Sequence, residues 1–364
     1  MEPPTLPTFG HGCITDLLPA FLGIGGDSPL PVAYPTSGPR VLLVLDGLGW
    51  EQMKARPELT PTLSAMVGGP ITTTAPSTTA TALTSITTGL TPSEHGLVGY
   101  RMRVDDDVLN CLRWGTGANP DARAIIPPTV LQPIRPFMGE VVPLVTRAEF
   151  TRSGFSEAHL RGGRFVGYRT SATMVHEIAR QIREGEPLVY AYYDGVDKVA
   201  HEYGLGSVYD AEVAYVDRLV ADVVSAVPTG TTVLVTADHG QVDCGGGLVQ
   251  IAEEVLAHTA GLSGEGRFRW LHAEPGRIES LYEAATTYHG IDSWVVGIEQ
   301  MADEHWFGHT LGEDVRSRLG DVALLPIGPH AFDDPADGGP FQLIGRHGSL
   351  TSAEMLVPCL IASV

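Results

Sequence analysis

Val41-Leu42-Leu43-Val44-Leu45-Asp46, Leu188-Val189-Tyr190-Ala191-Tyr192-Tyr193-Asp194 and Thr232-Val233-Leu234-Val235-Thr236-Ala237-Asp238-His239 are three apolar runs, each closed by an acid. Runs so rich in Val and Leu read as parallel strands buried on both faces. Open α/β sheets place their ligand sites outside the carboxyl ends of such strands. Asp46, Asp197 just beyond Asp194, and Asp238 with His239 therefore point to one metal centre assembled from distant sequence.

Helical patterns separate the runs. Residues 80–88 contain few turn formers and stop at Gly89. Residues 173–183 precede the second run. In 207–227, Val216, Leu219, Val220, Val223 and Val227 fall on one face, and Pro228 ends the pattern. Strands alternating with helices predict an α/β fold with a mostly parallel, doubly wound sheet and helices on both faces. The Pro- and Gly-rich residues 1–38 read as an arm packed on this domain. Residues 101–165 read as a long excursion of loops and short strands. Their acidic run, Asp105-Asp106-Asp107, is expected in a solvated turn, since it lacks the spacing of a calcium loop. After the break at Gly245-Gly246-Gly247, residues 267–272, 277–287 and 293–296 suggest strand, helix, strand. Residues 250–338 are thus expected to form a small α+β cap inserted into a core made of 1–249 and 339–364. The tail from Leu350 returns to apolar, β-like sequence.

A chain of 364 residues can hold one large α/β domain with such an insertion. The apolar fraction of 43% is ordinary for a globular protein. Mean hydropathy is +0.06, and no run approaches the roughly 18 apolar residues of a membrane-spanning helix. The start, Met1-Glu2-Pro3-Pro4, has no basic segment leading into an apolar one, so the expected location is the cytoplasm. A net charge of −20 argues against nucleic-acid polymers and anionic membranes as partners. A small phosphorylated substrate stays admissible where metal ions supply local positive charge. Cys13, Cys111, Cys244 and Cys359 lie far apart without a CxxC pair and read as buried free thiols.

Asp197 and His201 are four residues apart, so on a helical turn they share a face and can chelate one ion. Asp238 and His239 are adjacent just past a strand, where alternating directions let them serve one ion or two neighbouring ions. Asp46 closes the first strand. His347 sits in a glycine-flanked loop, Gly345-Arg346-His347-Gly348-Ser349. Three Asp and three His form a mixed N/O set that suits Zn2+ better than manganese or iron, and calcium poorly. Two divalent ions bring about +4 against about −3 from the carboxylates, which leaves room for one more anion. The hydroxyl-rich run from Ser77 to Thr88 offers a nucleophile, because a helix N-terminus and a nearby cation both make a hydroxyl more acidic. Most of these hydroxyls must instead satisfy local backbone. His305 and His309 share the four-residue spacing and are expected to be cap or surface residues. No HExxH, GxSxG, GxxxxGK[ST] or CxPxR pattern occurs.

Asp46-Gly47, Thr88-Gly89-Leu90 with Glu94-His95-Gly96, Asp197-x-x-x-His201, Ala237-Asp238-His239-Gly240 and the late His347 together resemble the type I phosphodiesterase/nucleotide pyrophosphatase family of the alkaline phosphatase superfamily, over about residues 40 to 350. The resemblance implies an alkaline phosphatase-like core. It implies one zinc on Asp197, His201 and His347, and another on Asp46, Asp238 and His239, the latter touched by the nucleophile. The family's nucleophile lies ten residues before the glycine of the Thr-Gly pair, which is Thr79 here, with Thr78 as the alternative. Attack by Thr79 would give a phosphothreonine that water then releases. Family pyrophosphatases carry an Asn after the His-Gly motif to hold a phosphoryl oxygen; here Tyr100 occupies that place. An Arg clamp for a monoester cannot be assigned, although Arg101, Arg169 and Arg346 lie near the motifs. The expected activity is a two-metal phosphodiesterase or nucleotide pyrophosphatase. The alternatives are a phosphomonoesterase or phosphonate hydrolase on the same scaffold, and a non-catalytic metal-binding protein.

Overall fold

The computed structural model describes residues 2–24, 30–33, 37–338 and 342–364. The strand Arg40–Leu45 is buried at every position after its first, because it lies in the middle of a seven-stranded sheet. The sheet order is Val67–Thr72, Leu356–Ser363, Thr232–Thr236, Arg40–Leu45, Leu188–Tyr193, Pro143–Arg147 and Arg164–Tyr168. The five strands from Thr232–Thr236 to Arg164–Tyr168 run parallel. The C-terminal strand Leu356–Ser363 is antiparallel to both of its neighbours. The fold is thus the expected α/β class, with helices around a mostly parallel sheet.

Registry positions the three acidic strand ends. Leu45 pairs with Tyr193, and Val44 pairs with Thr236. The residues that follow, Asp46, Asp194 and Asp238, therefore emerge side by side at one edge of the sheet. The helices Ser171–Arg183 and Ser207–Ala226 return the chain between these strands. The first begins two residues before its apolar pattern does, because Thr170 caps it by accepting from the Thr173 amide.

The 101–165 segment differs from expectation. Its Pro143–Arg147 and Arg164–Tyr168 stretches are strands of the main sheet, not parts of an excursion. Both are short and lie toward one edge, where the second is only partly buried, so neither shows a long apolar run. Asp105 and Asp106 do form an exposed turn, between the paired strands Arg101–Val104 and Asp107–Asn110. The N-terminal arm packs on the core, with Ile14, Leu17, Leu18 and Phe21 buried in it; residues 25–29 and 34–36 of the arm lie outside the described residues.

A second, antiparallel sheet has the order Thr259–Glu265, Phe268–Ala273, Val322–Pro326 and Ser293–Gly297. The helix Ile278–His289 packs on it through Leu281 and Ala285. The hairpin turn at Glu265–Gly266 reaches toward the carboxyl edge of the main sheet. Arg267 anchors it there through a fully buried pair with Glu354, at 2.7 and 2.8 Å.

Candidate metal centre

Asp46 and Asp238 leave adjacent strand ends with buried carboxylates. Asp197 and His201 lie one turn apart on the helix Gly195–Tyr203, with His201 Nε2 3.2 Å from Asp197 Oδ1. Gly47 makes this crowding possible. Its φ of 75° is left-handed, and a Cβ there would lie 3.0 Å from Asp197 Cα and 2.8 Å from Gln241 Nε2. His239 Nε2 lies 3.4 Å from Asp238 Oδ2 and 3.5 Å from Asp46 Oδ1. His347 Nε2 lies 3.7 Å from Asp197 Oδ1, and its ring stacks on that of His239 at 3.5 Å between centroids. All six side chains expected at the centre thus come together. Two triads, Asp46 with Asp238 and His239, and Asp197 with His239 and His347, each have donor atoms within 4.8 Å of one another.

The three imidazoles are oriented alike. Nδ1 of His201 donates to the Gly345 carbonyl at 2.7 Å, Nδ1 of His239 to Gly240 at 3.1 Å, and Nδ1 of His347 to Ser77 at 2.8 Å. Each ring therefore carries its proton on Nδ1 and turns the lone pair of Nε2 toward the carboxylates. The acids are also held from one side. Tyr192 donates to Asp46 Oδ2, the Gly47 amide donates to Asp238 Oδ1 at 3.1 Å, and Gln241 Nε2 donates to Asp197 Oδ1 at 2.6 Å. The opposite oxygens, Asp46 Oδ1 and Asp238 Oδ2, are buried without a hydrogen-bond partner. Burial, with Asp238 and Asp197 close by, pushes the Asp46 carboxyl well above the usual range. Burial pushes Asp238 up as well, whereas burial and the neighbouring His239 and His201 hold His347 far below its ordinary value. Unpartnered carboxylate oxygens facing bare imidazole nitrogens are a donor set that fits divalent cations.

Asp194, which closes the second run, is engaged elsewhere, in ion pairs with Arg147 at 3.2 Å and with Lys198. His305 and His309 are exposed and take no part in either triad.

The helix Thr79–Thr88 starts beside the cluster, with Thr78 at the N-cap position but making no side-chain cap bond, and is ended by Gly89 in the left-handed region. Thr84, Thr87 and Thr88 donate to carbonyls four residues back, at 2.7, 2.9 and 2.7 Å. The Thr79 hydroxyl instead lies 3.1 Å from His239 Nε2. His95, from the Glu-His-Gly motif, braces this helix from inside. It accepts from the Leu97 amide at Nδ1, so its Nε2 proton faces Ser85 Oγ at 2.9 Å.

Two cavities flank Thr79. The first, about 360 Å³, is lined by Thr79, Tyr100, Asp197, Glu265, Arg346 and His347, among others. Tyr100 accepts from Asn110 Nδ2 at 2.7 Å, so its own proton is free to turn into the cavity. Arg346 makes no ion pair among the described residues. Arg101 is taken up by Asp334 at 2.5 Å, and Arg169 stands in solvent beside Glu149. The second cavity, about 210 Å³, is more apolar, with Leu83, Phe150, Phe155 and Tyr190 on its walls. Sequence reasoning missed Tyr192, Gln241 and Glu265. Tyr192 sits in an alternating aromatic strand and directly follows Ala191, so its direction was in principle readable; Gln241 and Glu265 carry no such signal.

A mostly parallel sheet thus gathers acids and imidazoles at its carboxyl edge, the arrangement of a metal-dependent hydrolase site on an α/β fold. The profile of the type I phosphodiesterase/nucleotide pyrophosphatase family matches residues 40–111 and 109–289, and the chain belongs to that family. Murine ectonucleotide pyrophosphatase/phosphodiesterase 5 superposes with a TM-score of 0.66 at 15% identity, over 88% of this chain and 87% of that one. An inactive form of it, in complex with AMP, superposes equally well (TM-score 0.66, 14% identity, 89% and 87% covered). Phosphonoacetate hydrolase from Sinorhizobium meliloti, in complex with phosphonoformate, gives 0.65 at 18% identity, over 89% of each chain. The comparison with curated proteins found no match. As a family member the chain is a phosphoester hydrolase, and among its described residues no helix is long and apolar enough to cross a membrane.

Proposed function

We propose that the protein is a phosphodiesterase or nucleotide pyrophosphatase that uses Thr79 as its nucleophile and two divalent cations, best matched by Zn2+. The observation that carries this is the shared orientation of His201, His239 and His347, each holding its proton on a backbone carbonyl and presenting Nε2 to the acids. In this reading Asp197, His201 and His347 hold one cation, and Asp46, Asp238 and His239 hold the other beside Thr79. The cations would supply the positive charge that acidifies the Thr79 hydroxyl and neutralises the phosphoryl oxygens.

The remaining steps belong to the protein. Thr79 Oγ1, at the positive end of its helix, attacks phosphorus in line. The bond to the leaving group breaks and a phosphothreonine forms. Tyr100 donates to a phosphoryl oxygen from the cavity wall. Water then attacks the same phosphorus and returns the threonine. Residues 250–338 act as a cap in this reading, since Glu265, Arg267 and Asp337 line the same cavity as Thr79. The substrate is a small phosphorylated compound.

Arg346 favours a second reading. A guanidinium on the wall of this cavity suits a dianionic phosphate or phosphonate, the group cleaved by a phosphomonoesterase or phosphonate hydrolase. The two readings separate when zinc-loaded enzyme is given bis(p-nitrophenyl) phosphate, p-nitrophenyl phosphate and a phosphonate ester, with chelation and Thr79→Ala as controls. Preference for the diester supports the first reading. Preference for the monoester or phosphonate reverses the order, and hydrolysis that survives Thr79→Ala removes both.

A further inference from the structure

The buried acids outside the metal centre are almost all matched. Glu354 pairs with Arg267, Asp334 with Arg101 and Arg269, and Asp194 with Arg147 and Lys198. Asp217 accepts two backbone amides, from Thr62 at 3.1 Å and Leu63 at 2.8 Å. Among the described residues Glu265 is the exception. It is 8% exposed, makes no ion pair among the described residues, and has one oxygen, Oε1, with no hydrogen-bond partner. Burial pushes its carboxyl well above the usual range, and the Thr78 hydroxyl and the Arg269 guanidinium nearby act in the other direction; Thr78 makes no side-chain cap bond to its own helix. Glu265 belongs to the hairpin turn of the smaller sheet and stands on the wall of the cavity that also holds Thr79, Tyr100 and Arg346.

A carboxyl buried without a cation or a full set of donors is costly. The hairpin that carries it is locked in place by the Arg267–Glu354 pair, so the group cannot turn out to solvent. The nearby Arg269 is already paired with Asp334 and Asp337, so the open direction for a further donor to Glu265 is the cavity that it lines. We propose that Glu265 is a specificity-determining residue that receives a hydrogen-bond donor of the substrate, a protonated amine above all, on the part of the molecule next to the phosphoryl group. The substrate class is then an aminoalkyl phosphate ester or phosphonate, its ammonium on Glu265 and its phosphoryl oxygens toward Arg346 and Tyr100. This rests on the reading that Thr79 and its cavity are the hydrolytic site.

The test compares two esters of equal size, p-nitrophenyl 2-aminoethyl phosphate and p-nitrophenyl propyl phosphate, on zinc-loaded wild-type protein and Glu265→Gln. The wild type is expected to favour the amine in kcat/KM by about tenfold or more, the scale of one charge-assisted hydrogen bond. Glu265→Gln should collapse that ratio by a similar factor. Binding of phosphoethanolamine against propyl phosphate, by calorimetry, gives the same comparison without turnover. A wild type with no preference for the amine overturns the proposal even if the variant fails to fold, and so does a preference that Glu265→Gln leaves unmoved. Failure of the underlying reading has another signature, namely bis(p-nitrophenyl) phosphate left uncleaved or cleaved regardless of Thr79→Ala.

Discussion

Replacing Gln241 by Met should weaken one of the two proposed cation sites and spare the fold. Gln241 is buried, and its Nε2 donates to Asp197 Oδ1 at 2.6 Å. The same amide leaves its Oε1 without a partner. Turning the amide over would set oxygen against carboxylate, so the donor stays on Asp197 at the cost of a stranded acceptor. A hydrogen bond to a charged group contributes about 1.5–3 kcal/mol, and a stranded buried acceptor costs about 1–3 kcal/mol. Met fills a similar volume and removes both. The two effects nearly cancel in the metal-free protein, so its thermal midpoint should stay put or rise slightly. In the loaded protein only the loss counts, because the outer bond keeps Asp197 turned toward its cation. The expected loss is about 10- to 100-fold in affinity, at the site Asp197 serves and not at the one served by Asp46 and Asp238. Competition of apoprotein with a chromophoric zinc chelator, fitted to two sites, reads this directly. Affinities within twofold of wild type, equal weakening of both sites, or a large drop in the apoprotein midpoint would each refute the reasoning.

Thr79→Ala should lower turnover of bis(p-nitrophenyl) phosphate by at least about 1000-fold, some 4 kcal/mol of barrier, and abolish the acid-stable phosphoprotein that quenching of the wild type is expected to trap, while Thr79→Ser restores part of both. Arg267→Met strands the Glu354 carboxylate, fully buried, and should cost about 3–5 kcal/mol; the urea midpoint should fall, and Arg267→Met with Glu354→Leu should recover much of it. Burial holds His95 down to about 3, helped by Arg318, and His159 to about 4; His272 is held to about 4 by burial with Arg103. These folded values lie below the unfolded value of about 6.5, so the unfolded chain binds more protons, and stability present above that pH drains away as pH falls toward 4. At pH 5 each contributes a loss of about 2 kcal/mol, and an acid urea profile that is flat between pH 6.5 and 4.5 would count against all three.

The strand ends were legible because burial on both faces removes polar alternation, and the acid that breaks each run is conspicuous. Asp46, Asp197, Asp238 and His239 lie within four residues of such an end, so the fold rule that finds the edge also finds them, and His201 follows from its helical spacing to Asp197. His347 was legible only through its place in the order of motifs, since a two-residue strand, Gly345–Arg346 paired with Val242–Asp243, is what brings it back. Pro143–Arg147 and Arg164–Tyr168 escaped notice because strands toward an edge need less apolar sequence than central ones. Gln241 and Glu265 escaped for a different reason. Each acts through a contact across more than 40 residues, and a single polar side chain in a loop looks the same whether it faces water or a carboxylate.

The division of labour between the two sheets follows from where their charges are balanced. At the main sheet's edge, three acids face three bare imidazole nitrogens, an arrangement that asks for cations and is indifferent to the rest of the substrate. The smaller sheet contributes the opposite: its arginines Arg267 and Arg269 are spent on Glu354, Asp334 and Asp337, which fixes the hairpin and leaves Glu265 without an ion pair on the wall of the cavity that Thr79 also lines. On the proposed reading, the chemistry of bond cleavage belongs to strand ends whose order is set by the fold, while the choice of what is cleaved belongs to a turn that a few substitutions could recharge. Glu265→Lys makes the point testable: if selectivity resides in that turn, an anionic leaving arm should gain on an aminoalkyl one, whereas a loss of both alike would assign the turn to the scaffold.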